Sequence, residues 1–353
     1  MRILITGGAG FVGSHLALLF KRDMPDSIVI SLDNLKRRGS ELALGRLAAG
    51  GVEFRHGDIR NREDLSDVGN LDLLVECSAE PSVQAGLAGG DRYLINTNLV
   101  GTINCLDFSR THGAAVVFLS TSRVYPIAPL RGLPLVASET RFVVPSGSAG
   151  PGWSVRGIAE NFPLTGSRSL YGASKLCSEL IIAEYVALYE LRAIINRCGV
   201  VGGPWQMGKF DQGFVVFWAA RHLFGGPLSY NGFGGAGLQV RDVLHIDDLY
   251  RLIRDQVAQM PVHNGKTYNV GGGAECSVSL AELTKACAER TGQRLSIHQQ
   301  PETNPVDIPY YVTDNSAVTA ATGWSPQLAM SAILDDIFAW LRKHRRELEV
   351  ILK

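Results

Sequence analysis

The sequence predicts an α/β fold, a doubly wound parallel sheet with a smaller C-terminal lobe, and three observations carry that expectation. Short apolar runs (RILIT, SIVISLD, VEFRHGD, LDLLVECSA, AVVFLST, LRAIINRCG) alternate with segments of helical spacing (SHLALLFKR, NTNLVGTINCLDFSRTHG, KLCSELIIAEYVALYE) through the first two hundred residues. Strands apolar on both faces and separated by helices belong to parallel sheets covered on both sides. A glycine-rich turn follows the first run directly, where such sheets bind phosphate. The chain has 353 residues, longer than one core usually grows, so a second lobe is expected. After Gly202 the regularity breaks into GGPWQMGKFDQGF, a helical FVVFWAARHLF, the glycine-rich GGPLSYNGFGGAG and LQVRDVLHIDDL, followed by YNVGGG and helical patterns over 279–291 and 328–346. Residues 1–200 and about 238–275 are therefore expected to form the first domain, and 201–237 with 276–353 the smaller lobe.

Composition excludes several function classes. Lys and Arg number 34 against 34 Asp and Glu, a formal charge of +0, which argues against a protein that coats nucleic acid or a membrane surface. Six cysteines (77, 105, 177, 198, 276, 287) lie scattered without a CxxC, so neither zinc nor a disulfide scaffold is expected. MRILITGGAGFVG has no charged segment leading a long apolar one, and no run approaches the roughly 18 to 20 residues needed to span a bilayer. A soluble, cytoplasmic protein is expected.

Gly7, Gly10 and Gly13 form GxxGxxG, with Phe11 and Val12 inside it, at the start of a helix. Missing side chains let backbone N–H groups approach a pyrophosphate, whose charge a helix N-terminus favours. The next strand ends in Asp33, followed by Asn34, twenty residues beyond Gly13. A carboxylate there accepts hydrogen bonds from a ribose diol and repels a 2′-phosphate, so NAD is expected over NADP. The nearby Lys36, Arg37 and Arg38 are the contrary signal. Asp58, with Ile59, stands where an adenine edge would lie, or else caps a helix.

SLYGASKL places Tyr171 and Lys175 four positions apart at the start of a helix. Residues i and i+4 are neighbours on a helix, and an ammonium beside a phenol favours the phenolate. The bland alternative is a solvated helix face. Thr121, at the end of AVVFLST, is placed to hold the substrate oxygen that the tyrosine deprotonates.

GxxGxxG, Asp33, Asp58-Ile59, Asn98 in NLVGT, Ser-Thr before VY, YxxxK, the Arg197 strand, RDVLHIDD and YNVGGG occur in this order. Over nearly its whole length the chain resembles the extended short-chain dehydrogenase/reductases that modify nucleotide sugars, which have a Rossmann domain. The resemblance implies that Tyr171 is the base, that Lys175 lowers its pKa and contacts the nicotinamide ribose, and that Thr121 supports the substrate hydroxyl. It further implies Asn98 near the active-site network or the cofactor, Ala79 and the Cys198–Val201 backbone beside the nicotinamide, and a homodimer built on helices 98–112 and 173–190. Asn98 as a helix cap and Cys198 as a core thiol are the alternatives.

Related dehydratases and decarboxylases carry an Asp-Glu pair, or a Glu, directly after the threonine. Ser122 and Arg123 stand there instead, which leaves epimerisation by hydride removal, a keto intermediate and hydride return. The enzymatic alternative is a dehydrogenase or reductase with net hydride transfer; the non-enzymatic one is an NAD-sensing regulator. Arg241 is the expected diphosphate ligand, against a structural salt bridge to Asp242 or Asp247. Gln206 and Gln212 are candidate sugar or base contacts, and His245 is a site residue or a core histidine. Three positions depart from the family pattern: Asn304 and Ile308 in NPVDIPYYVTD stand in place of an arginine and a glutamine, and Glu80 stands where glutamine is common. The segment 126–168, rich in Pro, Gly and Ser, is either a substrate lid or a solvent loop.

Overall fold

The computed structural model describes residues 1–86, 89–209 and 212–353. Phe210 and Asp211, within WQMGKFDQGF, lie outside the described residues. The chain divides into two compact units: Met1–Val124 with Ser169–Arg197 and Leu249–Tyr268, and Tyr125–Arg168 with Cys198–Asp248 and Asn269–Lys353. Residues 125–168 and 238–248 thus cluster with the second unit, although their numbers fall within the first domain expected from sequence.

The first unit is built on strands β1 (Arg2–Thr6), β2 (Ile28–Asp33), β3 (Glu53–His56), β4 (Leu73–Glu76), β5 (Ala115–Thr121), β6 (Ala193–Cys198) and β7 (Thr267–Val270). They form one seven-stranded parallel sheet in the order β7-β6-β5-β4-β1-β2-β3. The order reverses beside β1, the switch point at which doubly wound sheets bind ligands. Every residue of β4 and β6 is buried, as strands covered on both faces require. One face carries Leu4, Leu74, Val116, Phe118 and Ile195, packed with Cys105, Leu106 and Ile182 from the helices α5 (Gly101–Thr111) and α6 (Leu170–Tyr189).

Helix α6 starts where Ser169 caps it, its hydroxyl accepting from the Gly172 N–H at 3.2 Å. It ends at Glu190, which takes a left-handed conformation (φ 54°). Ile182 is buried and Ile181, Tyr185 and Val186 pack against the core, whereas Leu180 and Leu188 stay 62% and 67% exposed. Burial against its own sheet therefore accounts for only part of the helix's apolar content.

The second unit holds a four-stranded mixed sheet that includes Val200–Gly202, Val240–His245, Ser277–Ser279 and Tyr310–Tyr311. The segment 126–168 forms two-residue strands over 149–158 and is tied down by polar contacts. Arg141 pairs with Glu282 through two bonds of 2.7 and 2.5 Å, the Ile158 N–H donates to the Val312 carbonyl at 2.7 Å, and the Asn269 N–H donates to Glu160 Oε1 at 2.6 Å. Such a segment is no free solvent loop. Among the described residues no helix is long and apolar enough to cross a membrane, and no group of three or more His, Cys, Asp or Glu side chains is placed to hold a metal.

Candidate active site

The glycine loop joins β1 to the helix α1 (Phe11–Asp23) and is shaped by contacts that exclude side chains. A Cβ on Gly13 would lie 2.2 Å from the Gly7 carbonyl oxygen, and one on Gly7 (φ +62°) would meet Cys77 at 2.9 Å. Gly10 caps α1 without a side chain and no acid sits in the first turn, leaving the N–H groups of that turn and the positive helix end for an anion. Asp33 Oδ2 accepts from the Ala9 N–H at 3.1 Å and Oδ1 from the Leu35 N–H at 2.8 Å. Burial raises the Asp33 pKa, and backbone hydrogen bonds partly offset it. Asn34 donates to Asp58 at 2.8 Å, and Arg60 to both Asp58 oxygens at 2.9 and 2.6 Å. Burial raises the Asp58 pKa, but the bonds from Arg60 and Asn34 outweigh it and bring it to about 2. Ile59 is buried, where a Cβ on Gly101 would press on it at 2.5 Å. These residues suit a dinucleotide: a bare-backbone cradle for pyrophosphate and an acceptor at the end of β2 for a ribose diol.

Thr121 closes β5 and is buried; its Oγ1 accepts from the Arg123 N–H at 3.2 Å. The turn 122–124 then lies against the first turn of α6, so close that Gly172 has no room for a Cβ. Tyr171 and Lys175 sit one turn apart on that helix. Lys175 is 2% exposed, and its Nζ stands 3.8 Å from the centroid of the Phe118 ring, three residues before Thr121 on β5. The solvated-face alternative is thereby excluded for the lysine.

Asn98 is fully buried in a π-helical turn (Asn96–Val100). Its Oδ1 accepts from the Glu80 N–H at 2.7 Å, and its Nδ2 donates to the Glu80 carbonyl at 3.1 Å and to Ser174 Oγ at 3.1 Å. It clamps the loop after β4, which carries Ala79, to α6 rather than capping a helix. Ser174 Oγ donates to the Tyr171 carbonyl at 2.8 Å, and Ser178 Oγ to the Asn98 carbonyl at 2.7 Å. Sequence reading missed these serines, the buried Glu179–Arg197 ion pair at 2.7 Å and Glu76. The signals were there: serines at helical spacing behind Tyr171, and one acid ending the apolar run LLVE.

In the second unit Arg241 pairs with Asp307 at 3.0 Å and donates to the Ile308 carbonyl at 2.7 Å. The structural partner is thus neither Asp242 nor Asp247. Adjacent strand residues face opposite ways, and Asp242 is buried, accepting from the Gly273 N–H at 3.0 Å. Arg131, also missed, donates to the carbonyls of Asp307 and Asn304 at 2.9 and 2.8 Å. Gln206 donates to the Val201 carbonyl at 3.0 Å. Gln212 exchanges backbone hydrogen bonds with Lys209. Cys198 is buried. His245 is buried as well; its Nδ1 accepts from the Asp247 N–H at 3.1 Å and its Nε2 lies 3.4 Å from Asp336.

Residues 3–271 match the model of the NAD dependent epimerase/dehydratase family, and the chain belongs to that family. It is 28% identical over 347 residues to CDP-paratose 2-epimerase of Salmonella typhi, covering 96% of this chain and 99% of that protein. It is equally 28% identical to dTDP-glucose 4,6-dehydratase of Mycolicibacterium smegmatis, covering 97% and 93%. The crystal structure of the dTDP-glucose 4,6-dehydratase of Streptomyces venezuelae with NAD and TYD bound superposes with a TM-score of 0.79 at 29% identity, covering all of both chains. The cofactor is NAD, and the chain is an enzyme of the epimerase/dehydratase family.

Proposed function

We propose that the chain is an epimerase that inverts one carbon of a nucleotide-diphospho-sugar, acting at C2 of CDP-paratose or CDP-tyvelose. The observation that carries this reading is the pair Ser122-Arg123 directly after Thr121. Eliminating water needs an added acid at these positions, and neither side chain supplies one. The segments DNLKRRGSE, WQMGKFDQGF and QVRDVLH and the likeness to CDP-paratose 2-epimerase support the choice of sugar.

In this reading Gly7, Gly10, Phe11, Val12 and Gly13 hold the cofactor pyrophosphate, Asp33 and Asn34 the adenosine ribose, and Asp58 and Ile59 the adenine. Ala79, Asn98, Cys198 and Val201 border the nicotinamide. Bound NAD supplies the reversible two-electron acceptor for a carbinol carbon of the sugar. Tyr171, held as phenolate by the charge of Lys175, takes the proton of the C2 hydroxyl while Thr121 fixes that oxygen by a hydrogen bond. The keto sugar turns in the site, and Tyr171 returns the proton after the opposite face has been reduced. Arg241 binds the diphosphate on exchanging Asp307 for phosphate oxygens, and Gln206 and Gln212 contact sugar or base. The exposed Leu180 and Leu188 on α6 support a homodimer packed through that helix.

The test is incubation of the purified protein with CDP-paratose, CDP-tyvelose and a panel of UDP-, GDP- and dTDP-sugars in ordinary and deuterated water, followed by NMR. The expected result is interconversion of the CDP-sugars with no deuterium on carbon and no added cofactor. Solvent deuterium at a sugar carbon, or a dehydrated product, overturns the reading.

A further inference from the structure

Glu76 has no part in the reaction above, yet it lies fully buried at the end of β4. Its register partners are Thr6 on β1 and Phe118 on β5. Cross-strand partners point to the same face, so the carboxyl shares a row with the ring that carries the Lys175 ammonium at 3.8 Å.

The hydrogen bonds around Glu76 favour a proton on it. Thr102 Oγ1 lies 2.5 Å from Glu76 Oε1 and 2.9 Å from the Asn98 carbonyl. A hydroxyl has one proton to donate, and a carbonyl can only accept. With Glu76 ionised, Thr102 must share its one proton between the carboxylate and the Asn98 carbonyl; with Glu76 protonated, Thr102 donates to Asn98 alone and the carboxyl donates to Thr102, which makes both bonds whole. Glu76 Oε2 and its row neighbour Thr6 Oγ1 are buried with no hydrogen-bond partner among the described residues, a poor setting for a full negative charge. The elements packed on Glu76 bring few countercharges. Helix α6 brings Lys175, and its buried acid, Glu179, is engaged by Arg197 and Ser120. Helix α5 brings Thr102 and the Cys105 thiol. Burial raises the Glu76 pKa to about 7, with Lys175 and then Thr102 pulling against it.

We propose that Glu76 is a positioning residue of the Tyr171–Lys175 pair: a proton-holding carboxyl facing the lysine, whose ionisation sets how much of the ammonium's field is left to favour the phenolate. Protonated, it leaves that field to the tyrosine. Ionised, it draws the ammonium's charge towards β4 and weakens the base. This rests on the acid–base reading of Tyr171 given above.

The experiment is an ultraviolet difference titration of tyrosinate in the NAD-loaded enzyme, with Tyr171 isolated by subtracting Tyr171→Phe in each background. Glu76→Gln, which keeps volume and a donor for Thr102, is expected to move the Tyr171 midpoint to lower pH by about half a unit or more, with a matching shift in the acid limb of the rate profile. A merely structural glutamate would change thermal stability and leave the midpoint in place, which would overturn the proposal alone. A wild-type Tyr171 titrating at the ordinary value of about 10 would overturn the acid–base reading as well. Should Glu76→Gln not fold, the protonated-carboxyl infrared band of the ¹³C-glutamate-labelled enzyme serves instead. It is expected to titrate near neutrality and at higher pH in Lys175→Met; one midpoint for both overturns the proposal.

Discussion

The α-carbon of Gly172 faces the carbonyl oxygen of Arg123 so closely that a Cβ there would stand 2.0 Å from it. This contact sets the first turn of α6, with Tyr171, against the turn after Thr121. Gly172→Ala must push the helix start away, and displacements of this size cost about 10²-fold in a positioned reaction. The expected outcome is a loss of that order in kcat with NAD content retained, measured by steady-state assay and by the absorbance of released cofactor.

Tyr171→Phe removes the acid–base group and leaves its ring. Activity is expected to fall by roughly 10²- to 10⁴-fold, with folding and cofactor binding unchanged, as circular dichroism and cofactor titration would report. Retained turnover would exclude Tyr171 as the base.

Glu179 and Arg197 are 4% and 6% exposed and form a buried pair, with Ser120 donating to Glu179. Removing one partner strands a charge. Glu179→Ala is expected to cost about 3 to 5 kcal/mol in unfolding free energy, whereas replacing both residues with apolar side chains should cost much less. Denaturant titration of both variants checks this.

Glu76 also gives stability a pH dependence. Its folded pKa of about 7 lies above the ordinary glutamate value of 4.5, so the folded chain binds more protons than the unfolded one between those values. Its stabilising contribution is complete below about pH 4.5 and is lost as pH rises through about 7. The loss is on the order of 3 kcal/mol and should be absent in Glu76→Gln, as melting curves across that window would show.

For the homodimer proposed above, Leu180→Lys combined with Leu188→Glu is expected to leave each chain folded while shifting the sedimentation coefficient from dimer to monomer. An unchanged coefficient would exclude α6 as the subunit contact.

Much of the fold was legible because β-strands buried on both faces must be apolar throughout, as RILIT and AVVFLST are, and because a phosphate loop needs glycines where backbones touch. Tyr171, Lys175 and Thr121 were singled out as candidates by a spacing tied to chemistry. Glu76 was not, since its significance depends on Phe118 and Thr102, neighbours only after the sheet pairs and α5 packs. Arg241 illustrates the same limit. Its partner lies 66 residues away, while the adjacent Asp242 that sequence proximity suggested points to the other face. The role of 126–168 was hidden for a related reason, as its anchors are Glu282 and Val312, far along the chain.

Arg131 reaches across 176 residues of sequence to the Asp307 carbonyl and across 173 to the Asn304 carbonyl. The stretch 304–314 carries no lysine or arginine of its own, and the Arg131 cation beside it comes from a distant part of the chain. A mutational scan confined to 304–314 would miss that charge, whereas one guided by the folded chain would begin at residue 131.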